Sequence, residues 1–152
     1  MTGTAAFSHV CIVSAEPLRL AAFYEEVFDC GRVGPERRLG GAALEAGMGV
    51  TGIRVSGVHL SLPGGNTGTL EIFSPGEVVS TRREVSSQGL MHLSFIVDDI
   101  EDSCTRLRRF GGRLEGVVSE IEVAGVGTAR FVYARDPEGN LVELQEWLSR
   151  RG

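Results

Sequence analysis

Two histidines and two glutamates recur at matching places along this chain. His9 and His92 each stand near the start of a short apolar segment, and Glu71 and Glu143 each stand within a later one. A carboxylate in an apolar setting carries a high desolvation cost, which a divalent cation largely removes. Imidazoles and carboxylates together suit Zn, Ni, Co, Mn or Fe(II). The pattern predicts one divalent metal centre ligated by His9, Glu71, His92 and Glu143.

The segments that carry these residues have the same order of elements. Ser8–Phe28 (SHVCIVSAEPLRLAAFYEEVF) and Met91–Phe110 (MHLSFIVDDIEDSCTRLRRF) each predict a strand followed by an amphipathic helix. Leu70–Phe73 (LEIF) and Leu141–Leu144 (LVEL) predict the strands that hold the glutamates. The chain therefore contains two copies of a β-α-β-β-β unit.

Strand periodicity places the four candidate ligands on equivalent faces. Side chains alternate between the two faces of a strand, so Glu71 lies opposite Leu70 and Ile72, and Glu143 lies opposite Val142 and Leu144. These apolar neighbours are expected to face the helix. The histidines and glutamates would then project into the concave side of the sheet.

The two copies predict an α+β protein. Module one spans about residues 6–75, a linker 76–89 and module two about 90–148, all within one domain covering residues 1–152. Neither copy alone can bury both faces of its sheet, so the modules are expected to join edge to edge. The result would be a curved mixed sheet that forms a cup with helices on its outside.

Local signals place several boundaries. Ser14 is expected to cap the first helix and Asp98 or Asp99 the second. The turn cluster Pro63–Gly68 predicts a hairpin. Gly31–Gly52 has no clear period beyond a short helical turn at residues 42–46, and residues 113–119 predict a strand.

Composition excludes several classes of function. With a net charge of −5 the chain lacks the basic surface that nucleic acid requires. No apolar run reaches the ~20 residues of a membrane span. The three cysteines form no CxxC motif and indicate reduced thiols, and the N-terminus does not resemble a secretion signal. A cytoplasmic protein that acts on a small molecule is expected.

These motifs resemble the vicinal oxygen chelate superfamily, which includes glyoxalase I, bleomycin resistance proteins and extradiol dioxygenases. The resemblance rests on SHVCIV…FYEEVF…TLEIFSP and on MHLSFIVDDIEDSCTRL…FVYARDPEGNLVEL, and it extends from about Phe7 to Trp147. It implies a glyoxalase-like fold, the same four metal ligands and a homodimer. His59 has no copy in the second module, so a surface or packing role is expected for it.

The resemblance also implies a reaction. A metal-dependent isomerase or lyase of the glyoxalase I kind would act on a small substrate with adjacent oxygens through an enediolate. Glu143 and Glu71 would be the catalytic carboxylates, one of them loosening from the metal to move a proton between neighbouring carbons.

The sequence is also compatible with three functions other than a glyoxalase I-like reaction. An extradiol-type dioxygenase would use Fe(II) with two histidines and one carboxylate, and Tyr133 matches a tyrosine of those enzymes. A methylmalonyl-CoA epimerase-like enzyme would share the LEIFSP motif, although Val50 stands where the epimerase has its second acid. A resistance-type protein would bind a small molecule without catalysis.

Overall fold

The computed structural model describes residues 5–65 and 68–150. The chain divides into two compact units, Met1–Ser80 (unit 1) and Thr81–Gly152 (unit 2). The division falls within the segment expected to be a linker. Residues 66 and 67, at the centre of the predicted turn cluster, lie outside the described residues.

Unit 1 contains four strands and two helices among its described residues. In chain order these are β1 (His9–Val13), α1 (Pro17–Phe28), β2 (Gly31–Gly40), α2 (Ala42–Met48), β3 (Arg54–Ser61) and β4 (Thr69–Ser74). Their order across the sheet is β1-β4-β3-β2. β1 and β4 run parallel, whereas β3 is antiparallel to both β4 and β2.

Unit 2 repeats this arrangement with one extra strand. Its elements are β5 (His92–Ile96), α3 (Ile100–Arg109), β6 (Arg113–Leu114), β7 (Ser119–Val123), β8 (Gly127–Arg135) and β9 (Leu141–Arg150). The strand order is β5-β9-β8-β6, with β7 pairing along another part of β8. β5 and β9 are parallel, as β1 and β4 are in unit 1. The predicted α+β class and repeated modules are confirmed.

The helices begin in different ways. Asp99 caps α3 as predicted, because its carboxylate accepts a hydrogen bond from the Asp102 N–H at 2.9 Å. The prediction that Ser14 caps α1 is wrong, since the N-cap is Glu16 and Pro17 begins the helix. Ser14 Oγ instead accepts from the Glu16 N–H at 3.1 Å, which tightens the turn before the helix.

Each unit buries the apolar face of its long helix against its own sheet. In unit 1, α1 packs against β3 and β4 through Leu20, Phe23, Tyr24 and Val27, all of which are buried. In unit 2, α3 packs against β6 and β9, and Ile100, Cys104 and Leu107 are buried. The amphipathic helices predicted in both segments are confirmed.

Two strands and part of a helix differ from expectation. β2 occupies Gly31–Gly40, where no period was visible, and α2 extends the expected turn to Met48. The segment 113–119 forms only the short β6, and β7 begins at Ser119. β2 is exposed at all but its first residue and β7 along its whole length, so neither shows the alternation of a half-buried strand.

A buried arginine supports the turn that leads into β9. Arg135 is 1% exposed, and its guanidinium donates to Glu115 and to the carbonyl oxygens of Arg83 and Gly139. The Asp136 carboxylate accepts from the backbone N–H groups of Glu138 and Asn140. These contacts fix the register in which β9 leaves the turn.

No helix in the described part of the chain is long and apolar enough to cross a membrane.

Candidate metal centre

In unit 1 the parallel pairing of β1 with β4 brings a histidine to a glutamate. Cys11 is the strand partner of Glu71, and His9 stands two residues before Cys11 on the same face. The His9 Nε2 lies 3.2 Å from Glu71 Oε2. The first predicted pair of ligands is therefore in contact.

In unit 2 the same register produces the same contact. Ser94 is the strand partner of Glu143, and His92 stands two residues before Ser94. The His92 Nε2 lies 3.2 Å from Glu143 Oε2. The two pairs thus agree in strand direction, register and distance.

Both glutamates lie on the sheet face opposite the helix. Their neighbours Leu70, Ile72, Val142 and Leu144 are fully or almost fully buried. The carboxylates of Glu71 and Glu143 are 13% and 12% exposed, so each is largely removed from water. The alternation expected from the sequence is confirmed within each unit.

The separation in each pair fits a shared metal ion. Nitrogen and oxygen ligands lie about 2.1 Å from a divalent transition metal, so two ligands at a right angle are about 3.0 Å apart. The observed 3.2 Å in each pair matches this spacing. No group of three or more His, Cys, Asp or Glu side chains among residues 5–65 and 68–150 is itself arranged to hold a metal.

The Nδ1 atoms of His9 and His92, which face away from the glutamates, have different surroundings. The His9 Nδ1 lies 2.9 Å from Ser8 Oγ, an acceptor for an N–H on that atom. When Nδ1 donates to this hydroxyl, Nε2 carries no hydrogen and can bind a metal. The His92 Nδ1 is buried without a hydrogen-bond partner among the described residues.

A third histidine, His59, joins the pair in unit 1, and its burial fits the packing role expected for it rather than the surface role. His59 is the antiparallel partner of Glu71 across β3 and β4, and its Nε2 contacts Glu71 Oε1. The side chain is only 7% exposed, and burial is the main cause that lowers its pKa. Its ring stands edge-on to His9 and to Phe73.

The position of His59 has a signal in the sequence. A hairpin pairs residues that are equidistant from the centre of its turn. His59 and Glu71 are equidistant from Gly65, inside the predicted turn cluster. Tyr133 and Glu143 are likewise equidistant from Glu138, inside DPEGN, and they are strand partners in β8 and β9.

Tyr133 therefore occupies in unit 2 the position that His59 occupies in unit 1. Its ring packs edge-on against His92, with centroids 5.1 Å apart. Burial, followed by the charge of Glu143, raises the pKa of the Tyr133 hydroxyl. The phenol is therefore neutral at physiological pH.

Glu143 receives its hydrogen bond from its own strand. Gln145 Nε2 donates to Glu143 Oε2 at 3.0 Å, and the Trp147 indole N–H donates to Gln145 Oε1 at 3.1 Å. In contrast, the hydrogen bond to Glu71 comes from the neighbouring strand. The same His–Glu pair is therefore supported differently in the two units.

A family model connects this geometry to known proteins. The model described as the Glyoxalase/Bleomycin resistance protein/Dioxygenase superfamily matches residues 6–144. The chain belongs to this superfamily. Its members include many metal-dependent enzymes as well as resistance proteins.

Solved structures show the same fold. A glyoxalase family protein from Bacillus cereus is 24% identical, with 97% of each chain covered and a TM-score of 0.83. A superfamily domain from Frankia is 19% identical over 95% of this chain and 93% of that chain, with a TM-score of 0.62. The fosfomycin resistance protein FosX from Listeria monocytogenes is 11% identical over 99% and 97%, with a TM-score of 0.61. No functionally curated protein matches the chain.

Proposed function

We propose that this protein is a metal-dependent isomerase or lyase of the glyoxalase I kind. The observation that carries the proposal is the repeated His–Glu contact, at 3.2 Å and in the same strand register in both units. His9, Glu71, His92 and Glu143 are the proposed ligands of one divalent ion. The substrate is a small molecule with oxygens on adjacent carbons.

The donor set is suited to proton transfer. A bound divalent ion would supply Lewis-acid stabilisation of the negative charge that develops on an enediolate. The ligand carboxylates balance the charge of the ion, so the enediolate adds the only uncompensated charge. A carboxylate of the chain then removes a proton from the carbon beside the carbonyl group and returns it to the adjacent carbon.

Glu143 has the oxygen available for this step. Its Oε2 is engaged by His92 and Gln145, whereas its Oε1 accepts no hydrogen bond from the described residues. Both oxygens of Glu71 are occupied, by His9 and His59. We therefore assign Glu143 as the principal proton carrier and Glu71 as the second carboxylate of the reaction.

Metal titration is the first test. Metal-free protein is titrated with Zn, Ni, Co and Mn, and one ion per chain is expected. Glu143→Ala and His92→Ala are expected to lose this binding, whereas Glu120→Ala, which removes an exposed strand carboxylate of unit 2, is the matched control. A wild-type chain that binds none of these metals would refute the proposal.

Turnover is the second test. The metal-loaded protein is offered hemithioacetals formed from 2-oxoaldehydes and thiols, and conversion to 2-hydroxyacyl thioesters is followed by absorbance. Glu143→Gln is expected to lower turnover by about 10²–10⁴-fold, the usual contribution of a positioned acid–base group. If Glu143→Gln keeps wild-type turnover, Glu143 is not the proton carrier.

A second candidate is ring cleavage at Fe(II). It is favoured by Tyr133, whose ring packs against the proposed ligand His92. Loading the protein with Fe(II) without oxygen and then adding a catechol and oxygen would give a coloured product. Absence of colour with a panel of catechols would leave the isomerase as the supported function.

The family also suggests assembly. We include a homodimer in the proposal, and sedimentation velocity at several concentrations tests it. A monomer throughout would remove this part without affecting metal binding.

A further inference from the structure

His59 lies beside the proposed metal ligands of unit 1 without belonging to them. It is the cross-strand partner of Glu71, and its Nε2 contacts Glu71 Oε1. An ionised carboxylate can only accept hydrogen bonds, so the nitrogen that meets it must carry the proton. His59 therefore donates from Nε2.

The remaining contacts of His59 agree with this assignment. Its Nδ1 is buried and has no hydrogen-bond partner among the described residues, so a second proton there would be buried without an acceptor. The Arg37 Nη1 lies 3.4 Å from His59 Nε2, a separation too long for it to compete with the Glu71 carboxylate for that nitrogen. The geometry thus places the hydrogen that faces Glu71 on His59 Nε2.

The position of this hydrogen determines what His59 can do. A histidine binds a metal through an unprotonated nitrogen, and the His59 nitrogen that forms the hydrogen bond with Glu71 Oε1 is the protonated one. His9 Nε2 and His92 Nε2 lie 3.2 Å from their carboxylates without hydrogen-bond geometry, so the same argument places no proton on them. While the contact with Oε1 is in place, His59 is a hydrogen-bond donor to a ligand and not itself a ligand. Glu71 Oε2 remains directed at His9, 3.2 Å away.

We propose that His59 is a positioning residue that holds Glu71 Oε1 so that Oε2 is presented to the metal beside His9. The inference rests on the proposed metal centre. Partners that orient a ligand typically contribute about 10–100-fold to metal affinity or activity. Unit 2 lacks this device, because no hydrogen bond joins Tyr133 to Glu143 among the described residues of β8 and β9.

Replacement of His59 by leucine and by glutamine distinguishes a role in positioning Glu71 from a role in packing alone. The metal-free full chain and its variants are titrated with Co(II), and affinity and the visible absorption spectrum are recorded. His59→Leu keeps an apolar side chain but removes the donor, and a roughly 10–100-fold loss of Co(II) affinity is expected. His59→Gln places an amide N–H near the position of Nε2 and is expected to restore most of the affinity.

A matched variant in unit 2 serves as the control. Tyr133→Phe removes the polar atom at the equivalent register and is expected to leave Co(II) affinity close to that of the wild type. If wild-type protein binds Co(II) and His59→Leu binds it equally well, the inference is wrong while the metal centre stands. If wild-type protein binds no metal, the proposed function itself fails.

A measurement on the wild-type chain removes any dependence on folding of the variants. Nitrogen NMR of histidine-labelled protein reports the tautomer of each ring before and after addition of Zn(II). His59 is expected to keep hydrogen on Nε2 in both states, whereas the Nε2 signals of His9 and His92 shift as Zn(II) binds. A metal-dependent shift at His59 Nε2, or hydrogen on Nδ1 instead, would overturn the inference.

Discussion

Unit 1 places His59 across the strand from its glutamate, and unit 2 places Tyr133 at the same register. The strand pairings and the His–Glu distance of 3.2 Å are alike in both. The cross-strand residue that contacts the His–Glu pair differs between the two units. His59 contacts Glu71, whereas Tyr133 packs on the ring of His92. The His–Glu pair is thus a shared feature of the repeat, and the residues that support it differ between the units.

The divergence extends two residues along the same strands. Gly57 is the partner of Phe73 in unit 1, whereas Phe131 is the partner of Gln145 in unit 2. Each unit therefore places one aromatic ring beside the cross-strand residue, but from opposite strands. Phe73 stands edge-on to His59, and Phe131 stands edge-on to Tyr133. Both units therefore keep an aromatic ring beside the cross-strand residue, although that residue hydrogen-bonds to the glutamate only in unit 1.

The largest expected effect comes from removing one imidazole from each pair. His9→Ala and His92→Ala should each reduce metal affinity by more than about 100-fold, beyond the range usual for residues that only support a ligand. Isothermal titration with Ni(II) or Co(II) measures this. A loss in only one of the two variants would show that the pairs are not equivalent ligands.

Substitution of Gly57 tests whether the Phe73 ring on β4 requires a residue without a side chain at its strand partner. A Cβ at Gly57 would overlap the Ile72 carbonyl oxygen and the Phe73 ring, so Gly57→Ala should destabilise the protein by about 1–3 kcal/mol. Urea unfolding measures the change.

Gly47→Ala is the control, because nothing lies within 4 Å of a Cβ at that position in α2. This substitution should be neutral or stabilising by up to about 1 kcal/mol. Equal destabilisation by the two variants would mean that crowding at Gly57 is not the cause.

Tyr133→His would give unit 2 the cross-strand donor of unit 1. An imidazole opposite Glu143 should hold Oε1, which accepts no hydrogen bond within the described part of the chain. This contact should raise metal affinity by about tenfold and lower turnover. Titration and kinetics on the same preparation separate the two effects. Unchanged affinity together with unchanged turnover would show that the donor of unit 1 cannot be transferred by register alone.

The smallest effect is expected at the strand partners of the glutamates. Cys11 in unit 1 corresponds to Ser94 in unit 2, and Cys11 is exposed. Cys11→Ser makes the two units alike at this position and should change the unfolding free energy by no more than about 0.5 kcal/mol. A large loss of stability or of metal binding would give Cys11 a role that its position does not suggest.

The sequence predicted those parts of the fold that bury one face. The amphipathic pattern within Ser8–Phe28 predicted α1, and the alternation in LEIF and LVEL predicted the inward faces of β4 and β9. β2 and β7 were missed because they are exposed on both faces, so no apolar period marks them. The apolar pattern of a sequence therefore predicts a strand only where one of its faces is buried.

The sequence predicted the repeated residues of the candidate site but not the residue that occurs in one unit only. The four proposed ligands stand in repeated positions, and each histidine contacts the glutamate of its own unit. His59 was missed because it is not repeated, and its role depends on hairpin register. The tautomer of His59 depends on the atoms around its ring, which no one-dimensional pattern specifies.

The parallel pairing of the first and last strands of each unit bears on how the protein is made. His9 is supplied by β1 and Glu71 by β4, so the two meet only after the whole intervening chain has been synthesised and the longest loop of the unit has closed. A ribosome-bound fragment that stops before Thr69 contains the histidine but not its carboxylate partner. Each half of the proposed four-ligand set is therefore complete only when the synthesis of its unit is complete.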